Sequence, residues 1–283
     1  MTAPPRRPGP PAAPRHGPRF ASGPVARAPA PPPPPGTRPP VYRPAEPDRI
    51  CGPVAVAALF AHRPHAVQRL FYLAARRAEA GRLCAQLARE KKPYREVPPE
   101  ELAKIAGTPH HGGIVAIARP REVPLLPAAD ALPGGLLVLL DGIGNPHNLG
   151  AIARSAAFFG AAALVLSGDP RQAGLSDSAW RTSEGGLEAL PLFRAPLLPA
   201  ALAALASRFL TVAAVARGGD TPEAVMAADP RPVALVLGNE ETGLDPATAA
   251  ACARQVTLPG SGAVESLNVS VAAAVLMHAM RRA

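Results

Sequence analysis

Leu258-Pro259-Gly260-Ser261-Gly262-Ala263-Val264-Glu265-Ser266-Leu267-Asn268-Val269-Ser270-Val271-Ala272 is the stretch on which the reading of the fold turns. A short apolar, strand-like piece ends at Leu258-Pro259, and a glycine-rich loop follows. Polar Glu265, Ser266 and Asn268 then mark the start of an apolar helix that runs to Met280. Glycine lets a backbone approach a ligand closely, and a helix start presents free N–H groups. The competing reading is a tight turn with a Ser or Asn cap on a buried helix.

Working outward, residues 134–283 alternate between short apolar runs and helical patterns. Strands are predicted at 136–140, 162–166, 187–192, 210–216, 233–237 and 256–258. Helices are predicted at 149–159, 199–207, 221–227, 246–253 and 268–280. A continuous apolar run such as Val233-Ala234-Leu235-Val236-Leu237 is what a parallel sheet covered on both faces requires. Residues 49–120 carry a weaker alternation that predicts a small α/β unit. A linker rich in proline and alanine, 121–133, separates the two.

Residues 1–48 are a different material. They hold 18 of the 38 prolines, including Pro31 through Pro35, and few large apolar side chains. Such a segment buries too little surface to offset its ordering entropy, which predicts a disordered arm with polyproline character. Seven arginines there outweigh Glu46 and Asp48, giving +5 of the chain's formal +9. A flexible basic arm suits a polyanion such as RNA, although an arginine-rich leader from a high-GC genome reads the same way. Arg6 and Arg7 lead into proline rather than an apolar run, so no secretory signal is expected. Asn268, Ser270 and His278 interrupt the last helix, which argues against a membrane span. Cys51, Cys84 and Cys252 are odd in number and lack metal spacing. They predict a reducing cytoplasm, no disulfide framework and no metal site.

Three loops follow predicted strands, where open α/β sheets bind ligands. The first is Asp141-Gly142-Ile143-Gly144-Asn145-Pro146-His147-Asn148-Leu149-Gly150, which leads into a helix carrying Arg154. Its glycines lack the spacing of a dinucleotide fingerprint. Asn148 is placed to cap that helix. Arg154, six residues on, is read as pointing from the same general side. Its apolar neighbours Ala151, Ile152, Ala153, Ala156, Ala157 and Phe158 suggest a buried helix, where a guanidinium needs a carboxylate or phosphate. The second loop, Gly238-Asn239-Glu240-Glu241-Thr242-Gly243-Leu244, brackets two acids between glycines. The third is the stretch quoted at the outset. Ser266 sits in no nucleophile elbow, and no sequence-local His–Asp arrangement supports a triad.

Taken together, N-x-G-x-x-x-R from Asn148 to Arg154, G-x-E-x-x-G from Gly238 to Gly243, and Leu258-Pro259 through Ser266-Leu267-Asn268-Val269 resemble the three signatures of the SpoU (TrmH-like) family. These are S-adenosylmethionine-dependent RNA ribose methyltransferases of the SPOUT superfamily. Gly52-Pro53-Val54-Ala55-Val56 and His111-Gly112-Gly113-Ile114-Val115-Ala116 resemble the opening and closing segments of the small substrate-binding domain that many members carry.

The resemblance implies a parallel-sheet catalytic domain with a C-terminal trefoil knot, working as a homodimer in the cytoplasm on rRNA or tRNA. It implies that Leu237, Gly238, Asn239, Glu240, Gly243, Leu258, Pro259, Gly262, Ser266, Leu267 and Asn268 hold S-adenosylmethionine. Leu237, Leu258 and Leu267 would flank its adenine. Arg154 would lead the chemistry, assisted by Asn148, Glu240, Ser266 and Asn268. A guanidinium is always protonated, so Arg154 is better suited to bind the phosphate beside the target ribose and to stabilise a developing alkoxide than to act as base. Two departures stand out. Arg181-Thr182-Ser183-Glu184-Gly185-Gly186 replaces small residues around Ser-x-Gly-Ala in the expected loop between the second and third strands, and Gly260 stands where methionine is common. The alternatives are a non-catalytic RNA-binding or ribosome-assembly factor of the same fold, and a base methyltransferase, which would lack the Asn/Arg signature.

Overall fold

The computed structural model describes residues 46–281. The expected disordered arm lies outside the described residues except at its last three positions, where Asp48 already opens a strand.

The first region is β1 (Asp48–Cys51), α1 (Pro53–His62), β2 (Val67–Tyr72), α2 (Arg77–Arg89), β3 (Tyr94–Glu96), α3 (Pro99–Ala106) and β4 (Ile114–Ala118). Its strands lie in the order β1-β4-β2-β3, with β2 and β3 parallel and the other pairings antiparallel. Sequence chemistry sets the helix ends. α3 begins on Pro99 with Glu100 and Glu101 in its first turn, where acids complement the helix dipole. It ends on Gly107 in the left-handed region at φ 68°, a conformation glycine adopts without steric cost.

The second region holds β5 (Leu137–Asp141), α4 (Pro146–Phe158), β6 (Ala163–Ser167), α5 (Asp177–Ser183), α6 (Gly186–Ala189), β7 (Leu192–Ala195) and α7 (Leu198–Leu205). After these come β8 (Leu210–Ala214), α8 (Pro222–Ala228), β9 (Val233–Gly238), α9 (Pro246–Ala250), β10 (Arg254–Val256) and α10 (Val269–Met280). Its strands form a wholly parallel sheet in the order β10-β8-β9-β5-β6-β7. Both faces are covered, which is why β5 and β9 are apolar at every core position. Val138, Leu140, Leu235 and Leu237 share a core with Leu149 and Ile152 of α4 and Leu276 and Met277 of α10. Leu137, Leu139 and Val236 face the other way, onto Leu198, Leu202 and Leu205 of α7 and onto Phe209.

Three expectations need correction. The predicted strand at 187–192 is the short helix α6 followed by β7, because Leu187 and Glu188 are buried against α4 and the first region. The expected loop at 181–186 is the end of α5 and the start of α6, joined through Glu184 and Gly185, both left-handed. The linker does more than connect. Leu126 N–H donates to Arg194 O at 2.9 Å, and Arg194 N–H donates to Pro124 O at 2.8 Å, so it lies along the outer edge of β7.

α5 and α6 also carry the first region. Arg63 grips Glu188 with both Nε and a terminal nitrogen, at 2.7 Å each, and reaches Asp48 at 3.3 Å. The Glu188 side chain is fully buried. Arg121 N–H donates to Asp48 at 2.9 Å, and the Arg63 guanidinium lies 5.4 Å over the ring of Trp180. One buried ionic cluster therefore spans the seam between small and large sheets.

Candidate active site

Four segments meet at the C-terminal ends of β5, β6 and β9 and the start of α10. Asn145, not Asn148, caps α4: its side chain accepts from His147 N–H at 2.8 Å, with Pro146 at the first helical position. The sequence expectation placed the cap three residues too late, since a proline at the first turn moves the start forward. Asn148 is thereby free of capping. Its Nδ2 donates to Glu240 Oε1 at 2.8 Å, and its Oδ1 accepts from Asn268 Nδ2 at 3.2 Å. Asn268 in turn caps α10, accepting from Ser270 N–H at 2.9 Å. All three expected loops thus converge through one residue of each.

Glu240 is the hub. Its carboxylate accepts from Gly144 N–H at 3.0 Å, from Asn145 N–H at 3.1 Å and, more loosely, from Asn239 Nδ2 at 3.4 Å. Burial raises its carboxyl pKa, but hydrogen bonds from Asn148, from its own backbone and from Gly144 and Asn145 outweigh that and leave it below the ordinary range. The loop that bears it is built around Gly238. A Cβ there would come within 2.4 Å of the Gly243 carbonyl carbon and the Leu244 nitrogen. Asn239 and Gly243 close the turn with paired backbone bonds of 2.9 and 3.0 Å. Asn239 then pins the loop to its neighbour, donating to Gly142 O at 2.7 Å.

The third loop contrasts with the other two. Among the described residues its backbone from Leu258 to Leu267 bonds to no other backbone group, and Ala263 N–H donates to Ser261 Oγ at 3.3 Å. Val264 and Leu267 are exposed, as are Pro259, Gly262 and Ser266, while Leu258 is half-buried against the core and Leu237 is fully buried. Unspent backbone donors and acceptors beside exposed apolar side chains are what a nucleoside needs for binding.

Arg154 departs from expectation. Six residues along a helix turns it about 120° away from Asn148. Its side chain is 58% exposed and pairs with Glu184 Oε2 at 3.2 Å, rather than joining Asn148, Glu240 and Asn268. The partner demanded by a buried helix exists, but it sits at the surface. Ile152, Ala153 and Ala156 are buried on other faces of α4, whereas Phe158, one turn on from Arg154, is itself exposed.

Sequence reasoning passed over the loop after β6. Ser167 Oγ accepts from Gly142 N–H at 3.1 Å and Gln172 Oε1 from Ile143 N–H at 3.2 Å. Arg171 donates to Thr242 Oγ1 at 2.8 Å while gripping Asp169, whose carboxyl it holds down to about 2. Their one signal was position, directly after a parallel strand. Burial pushes the Cys51 thiol up to about 11 and Cys252 to about 12, so neither is a thiolate near neutrality. No group of His, Cys, Asp and Glu among the described residues could hold a metal ion.

The SpoU rRNA Methylase family model matches residues 135–278, and the model for RNA 2'-O ribose methyltransferase substrate binding matches residues 49–124. An uncharacterized tRNA/rRNA methyltransferase of Mycobacterium avium is 38% identical over 192 residues, 66% of this chain and 61% of that protein. The chain spans about three fifths of the length of the mycobacterial relatives it matches. The 23S rRNA (guanosine-2'-O-)-methyltransferase RlmB of Acinetobacter baylyi is 33% identical over 243 residues, 83% of this chain and 96% of that one. The SpoU methyltransferase AviRb of Streptomyces viridochromogenes, solved in complex with AdoMet, superposes with a TM-score of 0.65 at 26% identity, covering 83% and 89% of the two chains. A fold, a substrate-binding module and a catalytic module all point one way: the chain belongs to the SpoU rRNA methylase family.

Proposed function

We propose that the protein transfers a methyl group from S-adenosylmethionine to a ribose 2′-hydroxyl, with a guanosine of 23S rRNA as the target. The observation that carries this is the convergence of Asn148, Glu240 and Asn268 beside a loop whose backbone is unspent. The near full-length similarity to RlmB supports the choice of 23S rRNA over tRNA. S-adenosylmethionine would supply an electrophilic methyl group. Gly238–Gly243 and Leu258–Leu267 would hold it, their backbones reading the adenine while Leu258 and Leu267 cover it. The tight turn closed by Asn239 fixes one wall of that site in advance, which lowers the ordering cost of binding.

The chain after β10 returns from the sheet edge to α4, where Asn268 meets Asn148, and this path supports a knotted C-terminus. Phe158 on α4, 83% exposed, and Val271 and Val275 on α10 form an apolar face suited to a second copy of the chain, giving a homodimer. In it, Arg154 would leave Glu184 to bind a phosphate beside the target ribose. Reduced cysteines fit a cytoplasmic enzyme. The small domain and basic arm would bring affinity for RNA that weakens with salt.

The test is methyl transfer to unmodified 23S rRNA and to unmodified tRNA, side by side. Incorporation into 23S rRNA, mapped to one guanosine, is the expected result. Incorporation into tRNA alone would reject the target, and binding of RNA without any transfer would favour an assembly factor.

A further inference from the structure

We propose that the imidazole of His147 is the acceptor of the ribose 2′-hydroxyl proton. This rests on the methyltransferase reading above and adds to it the group that reading lacks. A hydroxyl attacking a methyl group must lose its proton as it does so, and a positioned base is what speeds that loss.

The cluster itself offers no good base. The Glu240 carboxylate already accepts from Gly144, Asn145, Asn148 and Asn239. A carboxylate stabilised in this way gives up little by staying charged, so it is a poor proton acceptor. Arg154 is protonated throughout, Asn148 and Asn268 carry amides, and the Ser266 hydroxyl is no more basic than a sugar hydroxyl.

His147 is the next residue to Asn148, in the first turn of α4, and it is exposed. Its Nδ1 lies 3.1 Å from Thr182 Oγ1 on α5. With the hydrogen on Nδ1 donated to Thr182, the lone pair is on Nε2, which has no partner among the described residues. One ring nitrogen is thus anchored and the other faces solvent, the arrangement a working imidazole base requires.

Placement on the helix strengthens the case. His147, Gly150 and Arg154 form one stripe of α4 facing α5. A Cβ on Gly150 would come within 2.6 Å of Ala179 O, and Arg154 pairs with Glu184 just beyond α5. A phosphate held by Arg154 and a ribose hydroxyl at His147 would therefore lie along the same seam. The charged groups carried by the elements packed on α4 are engaged elsewhere: Asp177 with Arg49, Glu188 with Arg63, and His278 against the Phe159 ring. Glu184, at the end of α5, is held by Arg154, and Arg181 is the other charged residue of α5.

In the step, the ribose oxygen bonds to the methyl carbon as the methyl–sulfur bond breaks, and the sulfur keeps that electron pair. The 2′-hydroxyl proton passes to Nε2. The single positive charge moves from sulfonium to imidazolium, and solvent then takes the proton.

The experiment compares wild type, His147→Gln and His147→Ala in single-turnover methylation of unmodified 23S rRNA from about pH 5 to 8, where imidazole titrates. Long-range proton–nitrogen NMR on the same proteins reports which ring nitrogen bears hydrogen. Expected are a wild-type rate that rises with pH and then levels, a His147→Gln rate lower by about 10²–10⁴-fold without that limb, and recovery of His147→Ala by added imidazole. Calorimetric affinity for S-adenosylmethionine should be unchanged in both variants. A His147→Gln profile that parallels wild type, or a hydrogen found on Nε2, overturns the assignment while ribose methylation by wild type stands. Absence of ribose methylation by wild type overturns the methyltransferase reading and this inference with it.

Discussion

Asn148 Nδ2 donates to Glu240 Oε1 at 2.8 Å, tying the first turn of α4 to a loop 92 residues further along. Because Gly144 and Asn145 donate to the same carboxylate, Glu240 ties the 144–148 segment to its own loop. Glu240→Ala should release the 142–145 loop at a stability cost of about 1 kcal/mol, since water reaches the freed N–H groups. Affinity for S-adenosylmethionine should fall by roughly tenfold, equivalent to about 1.4 kcal/mol. Calorimetric titration checks this, and unchanged affinity would remove Glu240 from the site.

Acidification should undo the same clamp. The folded-state pKa of Glu240 lies below its ordinary 4.5, so between the two values the unfolded chain binds the extra proton. Its stabilisation is therefore complete above 4.5 and is lost as pH falls through the folded value. The difference in Tm between wild type and Glu240→Gln should be constant near neutrality and shrink below that point. A difference that grew on acidification would contradict the assigned direction.

Glu184 pairs with Arg154 at 3.2 Å from a left-handed backbone of φ 42° and ψ 48°. A non-glycine residue there costs about 1 kcal/mol, whereas an exposed ion pair contributes less than that. Glu184→Gly should unfold at higher denaturant than Glu184→Ala by about 1 kcal/mol, because both lose the pair and only glycine relieves the backbone. Equal midpoints would show no strain at this turn.

Glu188 presents the opposite case, a carboxylate with no exposed side-chain surface held by Arg63 and neighboured by Arg121 at 3.7 Å. Removing it strands buried guanidinium charge, so Glu188→Ala should cost about 3–5 kcal/mol. Chemical denaturation measures this. A loss under about 1 kcal/mol would mean that water already enters the seam.

Local chemistry made much of this legible. Apolar runs marked β5 and β9, and the Gly238–Gly243 turn was visible as glycines around acids, because a buried parallel strand and a tight loop each restrict residue choice on the spot. The family was legible from three separated signatures. What the sequence hid was set by distant partners. The 187–192 run reads as a strand until α4 and the first region bury Leu187 and Glu188 in a helix. Arg154 looks like an inward charge until the rotation of α4 turns it toward Glu184. Ser167, Arg171 and Gln172 follow no motif, and only the sheet's geometry brings Ser167 and Gln172 to the 142–145 loop and Arg171 to Thr242.

The central claim is chemical, and the bond that carries the label tests it most directly. Methyl-labelled S-adenosylmethionine would be incubated with unmodified 23S rRNA and wild type or Arg154→Ala, and the product digested to nucleosides. The account predicts label on a ribose 2′-oxygen with wild type and a rate reduced by about 10²-fold or more with Arg154→Ala. Label on a base would contradict it, as would transfer to ribose undiminished by loss of Arg154.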